Sequence, residues 1–291
     1  MKRSAATPDR PRRPVGWLDI LDSLYAESWN PRLGRFRSRF AYRGVSTTTD
    51  ALQTSLARLA GHDRNVVRIE LGLLRGFRKY AESDARCPDT IWRWLALAQH
   101  AGLPTRLLDW TYSPLVALHF ATAHVDMFDQ DGEVWCVDFA RVNQLLPRRL
   151  RRLLDAEQSD AFTVEMLDGF QTLKAFDSLS RSPFVVFVEP PTVHPRLAAQ
   201  HALFSLMSSA TAQLDRWLAA HPHVYRRIAV PAAAKWEIRD KLDQANIHER
   251  VLQGGLDGLS RWLARYYRPN VDRLPAPARR SGGADLRPKR G

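Results

Sequence analysis

The sequence predicts an α+β fold, a single domain in which a mixed or antiparallel sheet is flanked by helices. Three observations predict it. Apolar residues recur at helical spacing through the first third of the chain, whereas β-prone runs gather in the second half. Strands and helices do not alternate, and no glycine-rich turn follows the first strand, so a doubly wound nucleotide fold is not expected. The 291 residues are 45% hydrophobic and carry no internal repeat, which is ample for one large core.

Element by element, Trp17 to Tyr25 has the spacing of an amphipathic helix. Phe36 to Tyr42 alternates apolar and polar residues and reads as a strand ending at Arg43-Gly44. Ala51 to Leu59 reads as a helix, and Val66 to Ala81 as a longer one with Val67, Leu71, Leu74, Phe77 and Tyr80 inward. Thr90 caps an expected helix from Ile91 to Ala101, which Gly102 ends and Pro104 prevents from resuming. A loop through Thr111 leads to Ser113, a good cap, with Pro114 at the first position of an apolar helix.

Beyond it, Gly132 to Phe139, Pro183 to Glu189, Ala202 to Met207 and Tyr225 to Val230 are strand candidates. Helices are expected at Ala232 to Ala245 and Leu256 to Tyr267. Arg148, Arg149, Arg151 and Arg152 cluster on a further helix, spread around more than half of its circumference, which reads as a solvated face.

The net charge of +12 invites a nucleic-acid reading, so its distribution matters. Residues 1–14 carry Lys2, Arg3, Arg10, Arg12 and Arg13 against Asp9 alone. Residues 273–291 hold Arg273, Arg279, Arg280, Arg287, Lys289 and Arg290 against Asp285. The 15–270 body is therefore close to neutral, and both ends read as disordered basic tails. Nucleic acid is expected to meet this chain only through those tails, by salt-sensitive phosphate contacts.

No stretch approaches the eighteen or so apolar residues of a membrane span, and Met1-Lys2-Arg3-Ser4 is followed by no apolar segment. A cytoplasmic protein without membrane contact is the expectation. Cys87 and Cys136 lack CxxC spacing, which argues against a thiolate zinc site and a disulfide framework. The nine His form no HExxH, His119 and His124 fall off one helical face, and there is no GxSxG elbow, so neither a metal nor a serine nucleophile is expected.

The densest concentration of polar choices is Gln99-His100-Ala101-Gly102-Leu103-Pro104-Thr105-Arg106-Leu107-Leu108-Asp109-Trp110-Thr111, at the mouth of the apolar helix after Ser113. Arg43 offers a planar guanidinium fork suited to phosphate or carboxylate, and Gly44 beside it lets a ligand approach the backbone. The alternative is a structural ion pair from Arg43 to Asp109. His100 could act as acid or base near neutrality, or simply cap its own helix. Arg106 and Asp109, three apart, could pair with each other. Asp109, Trp110, Thr111 and Ser113 before a helix N-terminus also form a plausible anion or sugar site, with orphan amides pointing outward.

The long polar segment, with Phe40-Ala41-Tyr42-Arg43-Gly44 upstream, closely resembles the FRG domain family, named for an aromatic-Arg-Gly motif followed by a segment of the form AQHxGLPTRLLDWTxSPLxALxFA. Pro195 to Phe204 resembles the family's RxxxQxGxF element, with Ala202 where Gly is expected. A weaker similarity is to ADP-ribosyltransferases, whose first strand often ends in aromatic-Arg-Gly and whose second motif, Ser-Thr-Ser, precedes a helix of the form AxxF. Tyr42-Arg43-Gly44, Trp110-Thr111-Tyr112-Ser113 and Ala117-Leu118-His119-Phe120 look like both, in the right order.

That likeness implies that NAD is the substrate, with no resident cofactor. Arg43 would hold its phosphate or ribose, and Thr111 or Ser113 would support the nicotinamide-ribose wall. It calls for a catalytic Glu at a third strand, and Gln200, which carries no charge, occupies the comparable place. The expected site is thus Gln200, His100 and Asp109 for chemistry and Arg43, Gly44, Gln99, Thr105, Arg106, Trp110, Thr111 and Ser113 for the ligand. The competing expectation is a non-catalytic module that binds nucleic acid or protein, in which the same residues form a buried polar scaffold. Nothing in the sequence sets an oligomeric state.

Overall fold

A computed structural model of the chain describes residues 16–49, 52–61, 65–81, 89–191 and 195–270, so the two basic tails and Cys87 lie outside the described residues. Nine strands occur among the described residues: β1 (Trp29–Asn30), β2 (Arg35–Phe36), β3 (Phe40–Val45), β4 (Leu107–Thr111), β5 (Gly132–Asp138), β6 (Phe162–Thr163), β7 (Val185–Glu189), β8 (Ala202–Met207) and β9 (Tyr225–Val230). β1 and β2 form a small ladder of their own. The other seven make one open sheet in the order β6-β7-β8-β4-β3-β5-β9, antiparallel throughout except for the parallel β6–β7 edge.

Helices cover both faces, so the central strands are buried on both sides; all seven residues of β5 are buried. One face carries a continuous core of Ala41, Leu108, Trp110, Trp135, Val137 and Phe187 with their neighbours. The opposite face divides in two. Under β7, β8 and β4, the side chains of Val186, Phe204 and Leu107 meet the helix Ile91–His100 through Trp92 and Leu95. Under β3, β5 and β9, Tyr42, Val134, Cys136 and Ile228 meet Ala117 and Leu118 of the helix Pro114–Ala121 and Ile238 of the helix Lys235–Gln244. The boundary between these two cores falls where β4 meets β3.

Several elements begin where sequence places them. The helix Trp17–Tyr25, the capped helix after Thr90, the Ser113 cap with Pro114 just inside, and the strands β8 and β9 all form as expected. Gly102, at a φ of +85°, follows the helix Ile91–His100 in a conformation that glycine takes at no steric cost.

Four expectations need correction. Phe36 belongs to β2 and packs edge-on against Trp29, so β3 starts at Phe40 and runs through Arg43 to Val45 rather than ending at Arg43. The segment before Thr111 is the strand β4, not a loop. The helix expected from Ala51 begins instead at Ser55, where the Thr54 hydroxyl accepts from the Ala57 amide. The helix Val66–Ala81 has the expected ends but a rotated inner face: Val66, Glu70 and Leu74 are buried, while Val67, Leu71 and Tyr80 are half or more exposed. An apolar moment would not bury a glutamate; an ion pair does, and Glu70 has one.

Candidate functional site

β3 and β4 are neighbours in the sheet, yet they share a single register pair, Tyr42 with Thr111, whereas β3 pairs β5 at six positions from Phe40–Asp138 to Val45–Glu133. From Arg43 onward the two strands part. A further tie between them is the Arg43 Nη1, which donates to the Asp109 carbonyl at 2.5 Å. The gap is a cleft of about 420 Å³, within the range of small-molecule sites. Arg43 and Ser46 on β3 and its end, Asp109 and Thr111 on β4, Gln99 and His100 at the end of one helix, and Phe120 and His124 beyond the other line it. Arg196, Gln200 and Phe204 close it from the β8 side.

The polar motif is wired to itself. The Thr105 hydroxyl donates to Gln99 Oε1 at 2.5 Å and accepts from the Leu107 amide at 3.1 Å. Gln99 Nε2 in turn donates to Asp109 Oδ1 at 2.9 Å. Asp109 itself is exposed, Oδ2 has no hydrogen-bond partner among the described residues, and no other carboxylate lines the cleft. A fixed amide therefore aims a lone carboxylate at the opening. Asp109 pairs with neither Arg106 nor the Arg43 guanidinium through its side chain; Arg43 takes its carbonyl.

Sequence reasoning selected several residues that the structure uses for the fold. Arg106 does not reach the cleft: it is 2% exposed, donating from Nε at 2.6 Å and from Nη2 to the two oxygens of Glu70, and from Nη1 to Asp177 at 2.7 Å. Thr105, 1% exposed, binds Gln99 rather than a ligand. Ser113 accepts from the Val116 amide at 3.3 Å, as a helix cap. Trp110 borders the cleft, but its ring packs in the opposite core with Nε1 donating to Ser205 at 2.9 Å. Thr111 borders the cleft, but its hydroxyl donates to the Gln200 carbonyl at 2.6 Å and accepts from the Ser113 amide.

Gly44 also has a different reason to be glycine. A Cβ there would stand 1.8 Å from the Ala117 carbonyl oxygen, so the helix Pro114–Ala121 lies directly on the β3 backbone. Close helix packing, not ligand approach, requires it. Gln200 lines the cleft, and its Nε2 donates to the Leu252 carbonyl at 2.8 Å. The structure thus brings Arg43, Gly44, Gln99, His100, Asp109, Trp110, Thr111 and Gln200 to one cavity. It adds Ser46, His124 and Arg196, which no periodicity could have selected, because chain folding alone carries them there.

Behind the cleft wall, a buried charge network fixes the helix Pro114–Ala121. Arg239 donates to His119 Nδ1 at 2.7 Å and pairs with Glu249 at 2.9 Å; Arg265 bridges Glu249 and Asp243. Burial, reinforced by Arg239, holds His119 down to about 3, so its ring is neutral and accepts from Arg239. Burial alone would raise Glu249, but hydrogen bonds from Arg265 and the charge of Arg239 outweigh it and hold the carboxylate at about 2. Fully buried Lys235 donates to the Ser46 and Met127 carbonyls, both at 2.8 Å, tying the end of β3 to the opposite rim.

Among the described residues no group of His, Cys, Asp and Glu could hold a metal, and no helix is long and apolar enough to cross a membrane. Burial pushes the Cys136 thiol up to about 12, which leaves it inert.

Residues 38–130 match the family model of the FRG domain. The chain carries an FRG domain. The matched segment runs from the start of β3 through the helix Pro114–Ala121 to the turn before β5, so the FRG domain supplies Arg43, the Gln99-to-Thr111 motif and His124. Arg196, Gln200 and Phe204 come from the chain beyond it. No curated protein and no solved structure matches the chain.

Proposed function

We propose that the cleft of this FRG domain protein binds NAD or a related nucleotide and transfers its ADP-ribose. One observation carries this reading. The three elements that the likeness to ADP-ribosyltransferases calls for, Arg43 on β3, Thr111 at the end of β4 and Gln200 just before β8, are far apart in sequence and line one cavity where β3 and β4 separate. Arg43 and Arg196 provide guanidinium groups for a diphosphate, and Phe120 provides apolar surface for a ring.

Transfer breaks the glycosidic bond to nicotinamide, and positive charge develops on the ribose as the base leaves. Gln200 has no charge with which to stabilise it. Asp109, the cleft's own carboxylate, held by Gln99, takes that role in this reading, with His100 as the group that handles the acceptor's proton.

A second reading, a non-catalytic binding module, is favoured by the fixed bonding of Thr111, Ser113 and Gln200, whose polar atoms hold the fold. Calorimetric titration of NAD, ADP-ribose and AMP into the full chain, followed by an assay for released nicotinamide, separates the readings. Binding with release supports transfer, binding without release leaves a nucleotide site without the transfer chemistry, and no heat with any nucleotide contradicts the nucleotide site and favours the module that binds nucleic acid or protein.

A further inference from the structure

At the other end of β5 from the cleft, the helix Arg148–Glu157 presents a second feature. The cleft adjoins Val45, which pairs Glu133 near the start of β5; the helix Phe139–Asn143 leaves from its end. Between that short helix and Arg148–Glu157 lies a groove of about 530 Å³. Arg148, Arg151 and Arg152 line it together, because residues three and four apart share one helical face. Only Arg149 turns elsewhere, its guanidinium 4.5 Å from the centre of the Phe170 ring. All four arginines are exposed, as expected, and three of them share the groove.

All three groove arginines are exposed, and none has an ion-pair partner among the described residues. Asp155 and Asp160 also line the groove, which confines an anionic strand to the arginine side. Arg148 belongs at the same time to an adjoining hollow lined by Trp217 and His221. Those two rings stack at 4.2 Å between centroids and 28° between planes. Trp217 Nε1 donates to the Pro183 carbonyl at 3.0 Å and His221 Nδ1 lies 2.8 Å from the Trp217 carbonyl, so the stacked rings form a fixed shelf.

We propose that this surface binds single-stranded nucleic acid, with phosphates on Arg148, Arg151 and Arg152 and an unpaired base against the Trp217–His221 shelf. A row of free guanidinium groups running into a π-surface is the combination that single strands use, because the arginines follow the backbone while any base can stack. A duplex keeps its bases inside and gains nothing from the shelf. A lipid surface requires an apolar rim, and the groove has a charged one.

The test is fluorescence anisotropy of a short labelled single-stranded oligonucleotide with the full chain, over a range of salt concentrations. It is repeated for the triple variant Arg148→Ala/Arg151→Ala/Arg152→Ala. These exposed side chains carry no tertiary bond, so an unchanged melting temperature verifies that the variant is folded. The variant is expected to bind at least about tenfold more weakly, with a log–log salt slope lower by about 2, at ~0.7 per phosphate contact on a single strand. A strand of the same length lacking bases, and a duplex, are expected to bind wild type more weakly than the intact single strand. No binding by wild type, equal binding by the triple variant, or equal binding of the baseless strand or the duplex would each overturn the proposal.

Discussion

Arg106 grips Glu70 across 36 residues of chain, two guanidinium nitrogens on two carboxylate oxygens, with both side chains at 2% exposure or less. This pair explains two features at once: why a glutamate faces inward on the helix Val66–Ala81, and why the Arg of the polar motif never reaches the cleft. Removing Arg106 leaves the Glu70 carboxylate buried without its partner, whereas Arg106 without Glu70 still has Asp177. Arg106→Ala is expected to destabilise the fold by about 3–5 kcal/mol, whereas Asp109→Ala, whose exposed carboxylate meets only Gln99, costs under about 1 kcal/mol. Urea unfolding of the two variants measures the difference, and equal losses would contradict this division of roles.

Gly44→Ala places a methyl group where the Ala117 carbonyl stands, and neither backbone can yield without moving a helix off the sheet. A loss of about 3 kcal/mol or more is expected, at the upper end of overpacking effects. Gly72→Ala is the control: nothing lies within 4 Å of its added methyl, on an exposed helical position. It should raise stability by about 0.5–1 kcal/mol. The two melting temperatures should move in opposite directions.

Stability should fall on the acid side of neutrality, before ordinary carboxylates titrate. His119 has a folded value of about 3 against 6.5 when free, so below 6.5 the unfolded chain takes up a proton that the native chain refuses. The loss therefore grows as pH drops from about 6.5 and reaches about 2 kcal/mol at pH 5. Glu249, depressed to about 2 from 4.5, adds a further loss only as pH falls below about 4.5. His119→Asn keeps an acceptor for Arg239 and removes its titration, so the loss between pH 7 and 5 should shrink to the part contributed by His248, which burial also holds below its ordinary value. A wild-type loss no larger than the variant's over that interval would show that His119 is not buried neutral.

Much of the framework was legible in the sequence because alternation and capping are local. β9 and β8 follow from β-prone runs, and the Thr90 and Ser113 caps follow from residue type and a neighbouring proline. The long polar motif located the cleft for the same reason: five of the lining residues, Gln99, His100, Asp109, Trp110 and Thr111, are close in sequence. What sequence could not show is tertiary in origin. β4 read as a loop because Asp109 and Thr111 interrupt its apolar run, and only the opening beside β3 gives Asp109 a place. The inner face of the helix Val66–Ala81 was misplaced because hydrophobicity does not anticipate a buried ion pair. Ser46 and His124 reach the cleft from segments whose local patterns contain no ligand signal.

If Asp109 carries the chemistry, Asp109→Asn should keep the shape and the Gln99 bond while losing the charge. Nucleotide affinity is then expected to change less than about threefold, while nicotinamide release falls about 100-fold or more, the scale on which single electrostatic groups act. Gln99→Ala, which frees the carboxylate to rotate, should give a smaller loss in the same direction. Unchanged release by Asp109→Asn would remove it from the mechanism.

The central claim is that the parting of β3 and β4 is a nucleotide site. Hydrogen exchange of the full chain with and without saturating ADP-ribose reads it directly, because amide protection reports which segments a ligand holds closed. Protection is expected over residues 40–46, 99–111 and 196–204, and no change over 139–160 at the far end of the sheet. No protection at the three cleft segments, or protection confined to other parts of the chain, would contradict the account.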